Sequence, residues 1–257
     1  MFLFVFPLWN LPDISRLKDS HPAETAMMRY RRQQAKSRHL KYRIRQKWLP
    51  YDRIPQTFRK AVIFSEDAEF FYHEGIDWYE MKMAIKDFLF EHRSLRGAST
   101  ISQQVVKNLY LNPERSFYRK IKEFWMVKKL EETLGKKRIL ELYLNIAEWG
   151  PGIYGCGAAA KYWFKKDISR LTDEQMIALA VLLPSPLHWS PLNPNAGMRK
   201  KIAKIKKILL NNGYISSGKK TLARPAENKI KTHKTVPQKI ENARIKIDSL
   251  GKDAIIP

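Results

Sequence analysis

The stretch SEDAEFFYHEG, residues Ser65–Gly75, follows directly on a short apolar run, Ala61–Phe64. The acidic pair Glu66 and Asp67 therefore emerges from a buried element and lies close to aromatic side chains. A carboxylate that loses solvent beside aromatic rings has a raised pKa and becomes a proton carrier near neutral pH. The alternative is an acidic helix end with a surface histidine, because such carboxylates mark functional sites only statistically. The segment alone leaves both interpretations open.

Composition indicates one large domain, or a domain with tails, that binds a polyanion. The chain has 257 residues, of which 44% are hydrophobic and 12% aromatic, enough to bury a substantial core. A net charge of +23 suits nucleic acid, acidic lipid head groups or a phosphorylated substrate. The single cysteine, Cys156, excludes an intramolecular disulfide, and no Cys/His spacing resembles a zinc site.

The N-terminus is apolar but short. Met1–Leu8 reads MFLFVFPL, far less than the roughly 20 residues that cross a bilayer. A basic region before it and a small-residue cleavage site after it are both missing, so a signal peptide fits poorly. We predict that residues 1–12 are a partial membrane anchor or interfacial segment, with burial in the domain as the alternative. Residues 13–47 are predicted to be a basic linker.

Apolar residues at helical spacing predict a mainly α domain over residues 48–213. Pro55 suits the first turn of a helix that buries Phe58 and Val62. Further helix caps are expected from three hydroxyl or carboxylate residues and one capping box, namely Asp77, Ser99, Ser116 and Thr172-x-x-Gln175.

The end of the domain is rich in proline. Prolines 184, 186, 191 and 194 predict a rigid, extended exit, followed by a last amphipathic helix that ends at Gly213. The Lys-rich residues 214–257 are predicted to form a disordered basic tail.

Two polar patterns stand out within the helices. Thr100, Gln104 and Lys107 lie on one helical face with Asn108 at its edge, and together they offer a hydroxyl, an amide and an ammonium group. This combination indicates a surface that binds oxygen atoms, whereas a merely solvated face would more often mix acids and lysines.

The second pattern is Arg119 and Glu123, which are four residues apart on one helix, with Arg115 just before it. Such a pair often only stabilises the helix, by about 0.2–0.5 kcal/mol. It could also supply a second carboxylate in a cationic setting.

Five short motifs occur in order along the chain: Glu66-Asp67-x-x-Phe70-x-x-His73-x-Gly75, Gly97-x-Ser99-Thr100-Ile101-x-Gln103-Gln104-x-x-Lys107-Asn108, Arg119-Lys120-x-Lys122-Glu123, Leu144-Asn145 through Gly150 and Gly155, and Ala178-Leu179-Ala180 to Pro184. Together they resemble the motifs of the peptidoglycan glycosyltransferases, the family 51 glycosyltransferases. The match covers about residues 48–211.

The resemblance implies a lysozyme-like helical glycosyltransferase domain with basic flanking tails. The family polymerises lipid II into β-1,4 glycan strands, with inversion at the anomeric carbon and release of undecaprenyl diphosphate. Too few residues remain for a transpeptidase domain, so we expect the monofunctional form. Such proteins carry an N-terminal membrane helix, and the short run at residues 1–11 departs from that pattern. We expect the bacterial cytoplasmic (inner) membrane, with the catalytic domain on its outer face.

The resemblance also assigns roles to residues. Glu66 would be the base that takes the proton of the acceptor's 4-hydroxyl group, and Lys107 and Arg115 would bind the departing diphosphate. Glu123 would be a second catalytic carboxylate that holds the donor or a divalent ion, steadied by Arg119. The supporting residues would be Asp67, Phe70, His73, Thr100, Gln104 and Asn108. The sequence requires no cofactor. The resemblance allows a divalent cation, Mg²⁺ or Mn²⁺, to bind at Glu123.

Two other functions compete with synthesis. A lysozyme-like hydrolase or lytic transglycosylase uses the same pair of carboxylates, but its neutral leaving group gives Lys107 and Arg115 no anion to bind. A nucleic-acid-binding protein fits the net charge but predicts aromatic, zinc or recognition-helix signatures, which are absent from the sequence.

The expected partners are lipid II, the growing glycan strand, an anionic membrane surface and cell-wall synthesis or division proteins, and not nucleic acid.

Overall fold

The computed structural model describes residues 12–78, 82, 99–111 and 117–216, which are mainly helical as the sequence predicted. The helices of this part are α1 (Ala26–Ser37), α2 (Gln56–Glu66), α3 (Ile101–Tyr110), α4 (Phe117–Thr133), α5 (Lys136–Ile146), α6 (Cys156–Phe164), α7 (Asp173–Val181) and α8 (Ala196–Asn211). Short 3-10 helices lie at Ser15–Lys18, Tyr51–Arg53 and Ile168–Arg170. The strands are β1 (Arg45–Gln46), β2 (Glu148–Gly150) and β3 (Ile153–Tyr154).

The helices of the described residues pack around one hydrophobic core, on which α2 lies with its apolar face. Helix α2 packs on α7 and α8, while α3 packs on α4 and α5 and is covered by α1. Pro55 directly precedes α2, and Phe58 and Val62 are fully buried, as predicted. Because α2 ends at Glu66, the acid lies where the buried helix meets the surface of the domain.

The cap of α3 differs from the prediction by one residue. The N-cap is Thr100 and not Ser99, because Thr100 has Gln103 three residues later and the two form a capping box. The Thr100 hydroxyl accepts the Gln103 N–H at 3.2 Å, and the Gln103 side chain accepts the Thr100 N–H at 3.0 Å. The box predicted at Thr172 and Gln175 is confirmed.

Residues 13–47 are not the linker that was predicted. Ile14 and Met28 are buried, and Arg31 Nε donates to Oε2 of Glu148 in β2 at 3.0 Å. The side chain of Thr25 caps α1. The prediction failed because the apolar residues of α1 are few among its charges, and their burial depends on distant α3. Local composition does not reveal such contacts.

The small sheet holds the chain that precedes α2. β3 pairs in parallel with β1 and antiparallel with β2. The fully buried Asn145 reinforces this junction, since its Oδ1 accepts the Leu49 N–H and its Nδ2 donates to the Leu49 carbonyl, both at 2.8 Å. Asn145, part of the fourth motif, therefore fixes the path of the backbone leading into α2.

The proline-rich exit from α7 is turned and not extended, contrary to the prediction. The Ser185 N–H donates to the Leu182 carbonyl at 3.1 Å, and the N–H of Trp189 donates to the Ser185 carbonyl at 2.9 Å. Prolines occupy turn positions readily because their fixed φ suits them. The final helix, α8, is present as predicted and ends just before Gly213, whose φ is +70°.

Several predictions concern residues outside the described ranges. They are the anchor at residues 1–11, most of the helix after Asp77, the cap at Ser116, the role of Arg115, and nearly all of the basic tail. Within the described ranges, none of the helices combines the length and apolar character needed to span a membrane.

Candidate active site

Glu66 ends α2 with a side chain that is only 10% exposed. Three donors surround its carboxylate. Ser65 Oγ donates to Oε1 at 3.1 Å, Lys201 Nζ lies 3.4 Å from the same oxygen, and Gln104 Nε2 lies 3.4 Å from Oε2. An ionised carboxylate has about four acceptor positions, so this arrangement holds Glu66 in place and leaves it able to accept a proton.

Gln104 projects towards Glu66 from α3, as its place on the predicted oxygen-binding face suggested. Its side-chain oxygen accepts a hydrogen bond from the Tyr143 hydroxyl on α5 at 3.0 Å. Burial raises the pKa of Tyr143 well above its usual value, and the negative charges of Glu66 and Asp67 raise it further. Tyr143 is therefore a permanent donor at physiological pH.

Asp67 joins the loop after α2 to the start of α3. Its Oδ2 accepts the Ile101 N–H at 2.9 Å, and Nε2 of His73 lies 2.9 Å from its Oδ1. The Gly75 N–H donates to Nδ1 of His73 at 3.1 Å, so the ring proton is on Nε2 and points at Asp67. The Thr100 hydroxyl donates to the Gly75 carbonyl at 2.6 Å. Asp67, His73 and Thr100 thus tie the loop after α2 to the start of α3, and their supporting roles in the reaction stay a prediction.

Phe70 anchors the same loop in the core. It is fully buried, and its ring meets the His73 ring edge to face at 6.2 Å. The ammonium of Lys136 lies 4.6 Å from the centre of the Phe70 ring and 2.7 Å from Oε1 of Glu131. These contacts fix the loop that carries Asp67 and His73.

One turn beyond Gln104 on α3, Lys107 faces a cationic group on α4. Its Nζ donates to Ser99 Oγ at 3.0 Å. Burial lowers the pKa of Lys107; the carboxylate of Glu123 opposes this effect, and the charges of Lys120 and Arg119 reinforce it. These electrostatic contributions indicate that Lys107, Arg119, Lys120 and Glu123 share one neighbourhood, in which positive charge dominates.

Glu123 is buried, with 1% of its side chain exposed, and Oε1 lies 2.7 Å from Lys120 Nζ. Lys120, three residues before Glu123, supplies this ion pair, and the role expected of Arg119, four residues before Glu123, stays a prediction. Both spacings put a cation on the same helix face. Asn108 follows Lys107 on α3 and is partly exposed, and Arg115 lies outside the described residues.

Three residues at the site, Lys201, Tyr143 and Lys120, were not predicted from the sequence to have a role there. Tyr143 lies within Leu142-Tyr143-Leu144-Asn145 and resembled a core residue, and Lys201 is one of several lysines on α8. Lys120 did stand within the third motif, where its charge and spacing from Glu123 were a usable signal.

A divalent cation at Glu123 does not fit the side chains present. One of its oxygens already accepts from the Lys120 ammonium, and Lys107 adds a second positive charge nearby. Among the residues that the structure describes, no three His, Cys, Asp or Glu side chains are grouped closely enough to hold a metal ion.

Comparison with known proteins identifies the family of the chain that carries this site. Residues 33–212 match the family model described as Transglycosylase. The chain belongs to the transglycosylase family. This membership confirms the resemblance that the five motifs predicted and makes the chain a glycosyltransferase.

Curated relatives of this transglycosylase support the assignment. The chain is 40% identical to the biosynthetic peptidoglycan transglycosylase of Aromatoleum aromaticum, over 73% of this chain and 82% of the relative. The proteins of the same name from Chromobacterium violaceum and Thiobacillus denitrificans are 36% and 37% identical. Those alignments cover 77% and 80% of this chain and 86% and 89% of the relatives.

Proposed function

We propose that this transglycosylase polymerises lipid II into β-1,4 glycan strands by inverting glycosyl transfer, with release of undecaprenyl diphosphate. The observation that carries the proposal is the pairing of two different sites on one helix. Gln104 on α3 contacts the enclosed carboxylate of Glu66, and Lys107, one turn further along, faces the cationic group on α4. One site suits an alcohol that must lose a proton, and the other suits a leaving group with negative charge.

Glu66 is the proposed base. The 4-hydroxyl group of the acceptor sugar must lose its proton as it attacks the anomeric carbon of the donor, and a positioned carboxylate accelerates such a step. Gln104 and Lys201 hold the two oxygens of Glu66 from different helices, which fixes the carboxylate before the substrate arrives. The bond between the anomeric carbon and the diphosphate oxygen breaks as the new glycosidic bond forms.

Lys107 is proposed to bind the departing diphosphate. Diphosphate needs compensation of its charge more than it needs a proton, and ammonium groups supply that charge through short hydrogen bonds. Glu123 has a different part from the one that the sequence suggested. Because it is buried beside Lys120 and opposes the lowered pKa of Lys107, we assign it to keeping the cations charged and in place.

The same group of cations argues against hydrolysis of finished glycan. A hydrolase or lytic transglycosylase expels a neutral sugar hydroxyl group, which would leave the partly buried Lys107 without a substrate anion to bind. The partial loss of water around its ammonium group is costly, and the cost is offset when a phosphate oxygen replaces that water.

We propose that the domain acts at the outer face of the cytoplasmic membrane. Trp78, Phe124 and Trp125 are all exposed, at 58%, 37% and 37%, and their rings form a continuous cluster. The ammonium of Lys128 lies 5.9 Å from the centre of the Trp125 ring. Aromatic rings with a neighbouring lysine suit the boundary between lipid head groups and acyl chains. Phe124 follows Glu123 directly, so this cluster lies beside the proposed diphosphate site.

The proposal is tested by incubating the full chain with labelled lipid II in detergent or vesicles and separating the products on a gel. Wild-type protein should give a ladder of glycan strands, and Glu66→Gln should give none while its thermal unfolding is unchanged. Glu132→Gln, an exposed acid on α4, serves as a control that should leave the ladder intact. Digestion of mature sacculi without strand growth would refute synthesis, and strand growth by Glu66→Gln would remove Glu66 as the base.

A further inference from the structure

Tyr143 combines a fully buried ring with a hydroxyl group that reaches the active site. It lies on α5, where 1% of its surface is exposed, and its hydroxyl group donates to Oε1 of Gln104 at 3.0 Å. Substrate has no access to a side chain buried to this degree. Any influence of Tyr143 on the reaction must therefore pass through Gln104.

The amide of Gln104 can serve Glu66 in one orientation only. Its Nε2 lies 3.4 Å from Oε2 of Glu66 and 3.5 Å from the Ser99 carbonyl, both of which only accept hydrogen bonds when Glu66 is ionised. A flipped amide would place its own oxygen against these two oxygens. The observed orientation leaves Oε1 of Gln104 facing Tyr143, whose hydroxyl group satisfies it.

We infer that Tyr143 is a positioning residue for the proposed base, because its hydroxyl group holds the Gln104 amide with the donor nitrogen facing Glu66. This inference rests on the proposed role of Glu66. Without the hydroxyl group, the amide oxygen of Gln104 has lost its donor inside the protein, and the Gln104 side chain turns away to find another. Glu66 then loses the contact that fixes its Oε2.

Tyr143→Phe tests the inference because it removes one oxygen and keeps the ring. We expect kcat to fall about tenfold, close to the value of one hydrogen bond in a buried network, with little change in KM for lipid II. Tyr154→Phe is the matched control. Tyr154 is also fully buried, and its hydroxyl group lies 2.8 Å from the hydroxyl group of Tyr42 and 3.4 Å from Oε1 of Glu148. It should affect stability without lowering kcat.

A double-mutant cycle separates positioning from a general loss of packing. In a Gln104→Met background, Tyr143→Phe should cost no further activity, because the amide through which Tyr143 acts is gone. Equal losses in both backgrounds would overturn the inference, and so would wild-type kcat in Tyr143→Phe. Thermal unfolding of each variant identifies any loss of activity that comes from unfolding.

The outcome is distinguishable from a failure of the proposed function. If Glu66→Gln abolishes strand growth and Tyr143→Phe has no effect, the assignment of Glu66 as the base is supported and the positioning role of Tyr143 is refuted. If Glu66→Gln retains activity, the base itself is refuted, whatever Tyr143→Phe does.

Discussion

The ammonium of Lys201 lies 3.4 Å from Oε1 of Glu66, so α8 brings a positive charge to the carboxylate at the end of α2. The two residues are 135 positions apart in the chain. The contact connects the last helix of the domain to the proposed catalytic base, and its loss should slow the reaction.

Lys201→Met should lower kcat for lipid II about tenfold, the value of roughly one hydrogen bond to a charged group. The ammonium group holds one oxygen of the proposed base in position, and methionine keeps a long side chain without the charge. The measurement is kcat and KM for lipid II, with thermal unfolding to show that the variant stays folded.

Lys201→Arg should retain most of the wild-type activity because it keeps the positive charge. Lys206→Met is a control on the same helix, since Lys206 pairs with Glu174 at 2.9 Å and not with the active site. An equal loss of activity in Lys201→Met and Lys201→Arg would contradict the assignment of charge and favour a purely steric role.

The contrast between Gln104 and Lys201 shows how much of the site the sequence could predict. Gln104 belongs to a short helix whose periodicity places it on the same face as Lys107, so local spacing was enough. Lys201 lies among several lysines on α8, and local spacing gives none of them a special position. Its contact with Glu66 depends on how α8 packs against α2, which is a property of the whole fold.

The fold shows the same division. Helices with a clear apolar stripe or a capping box, such as α2 and α7, could be predicted from local pattern alone. Helix α1 could not, because its buried residues are few and α3 provides their partners. The cap at Thr100 was predictable, since Thr100-x-x-Gln103 is a capping-box pattern in the sequence, and it was missed because the preceding serine is also a good cap.

Gly75→Ala should destabilise the protein strongly. A Cβ atom at this position would lie 2.5 Å from Cγ1 of Val127 and 2.9 Å from Cγ of Glu131, and the φ of Gly75 is +87°. We expect the free energy of unfolding to fall by roughly 2–4 kcal/mol, because overpacking and left-handed backbone each carry a cost. Urea unfolding followed by circular dichroism measures the change.

Gly197→Ala is the comparison for that measurement. Its added Cβ would meet only Oδ1 of Asn195, at 3.4 Å, and the position lies in the first turn of α8. Its free energy of unfolding should stay within about 0.5 kcal/mol of the wild-type value or rise, since alanine favours helix. Similar values for the two variants would show that Gly75 has no special steric constraint.

Glu148→Gln should change how stability depends on pH. Burial raises the pKa of Glu148 above its ordinary value of 4.5, and the charge of Arg31 opposes this effect. The folded protein therefore holds this proton more tightly than the unfolded chain does. The resulting stability is fully present below about pH 4.5 and is lost as the pH rises through the folded pKa.

Relative to wild type, Glu148→Gln should thus gain stability as the pH rises from about 4.5 towards 7. The measurement is the difference in free energy of unfolding between the two proteins at several pH values. Glu174→Gln should show the opposite trend, and a smaller one, because hydrogen bonding to Lys206 lowers the pKa of this exposed group. A constant difference between wild type and Glu148→Gln would contradict the prediction.

Glu123→Gln should move the alkaline limb of the pH–rate profile to lower pH. Burial lowers the pKa of Lys107 below its usual 10.5, and the negative charge of Glu123 opposes that effect. Once the charge is removed, Lys107 loses its proton at a lower pH, and its attraction for the diphosphate is lost with the proton. The measurement is kcat/KM for lipid II at several alkaline pH values, compared between wild type and the variant.

Two further variants separate charge from contact at this site. Glu132→Gln changes an exposed acid on the same helix and should leave the alkaline limb in place. Lys107→Arg should extend activity to higher pH even in a Glu123→Gln background, because a guanidinium group keeps its proton throughout this range. If Glu123→Gln lowers activity equally at every pH, then Glu123 contacts the donor directly, and its assignment as the partner of the cations is wrong.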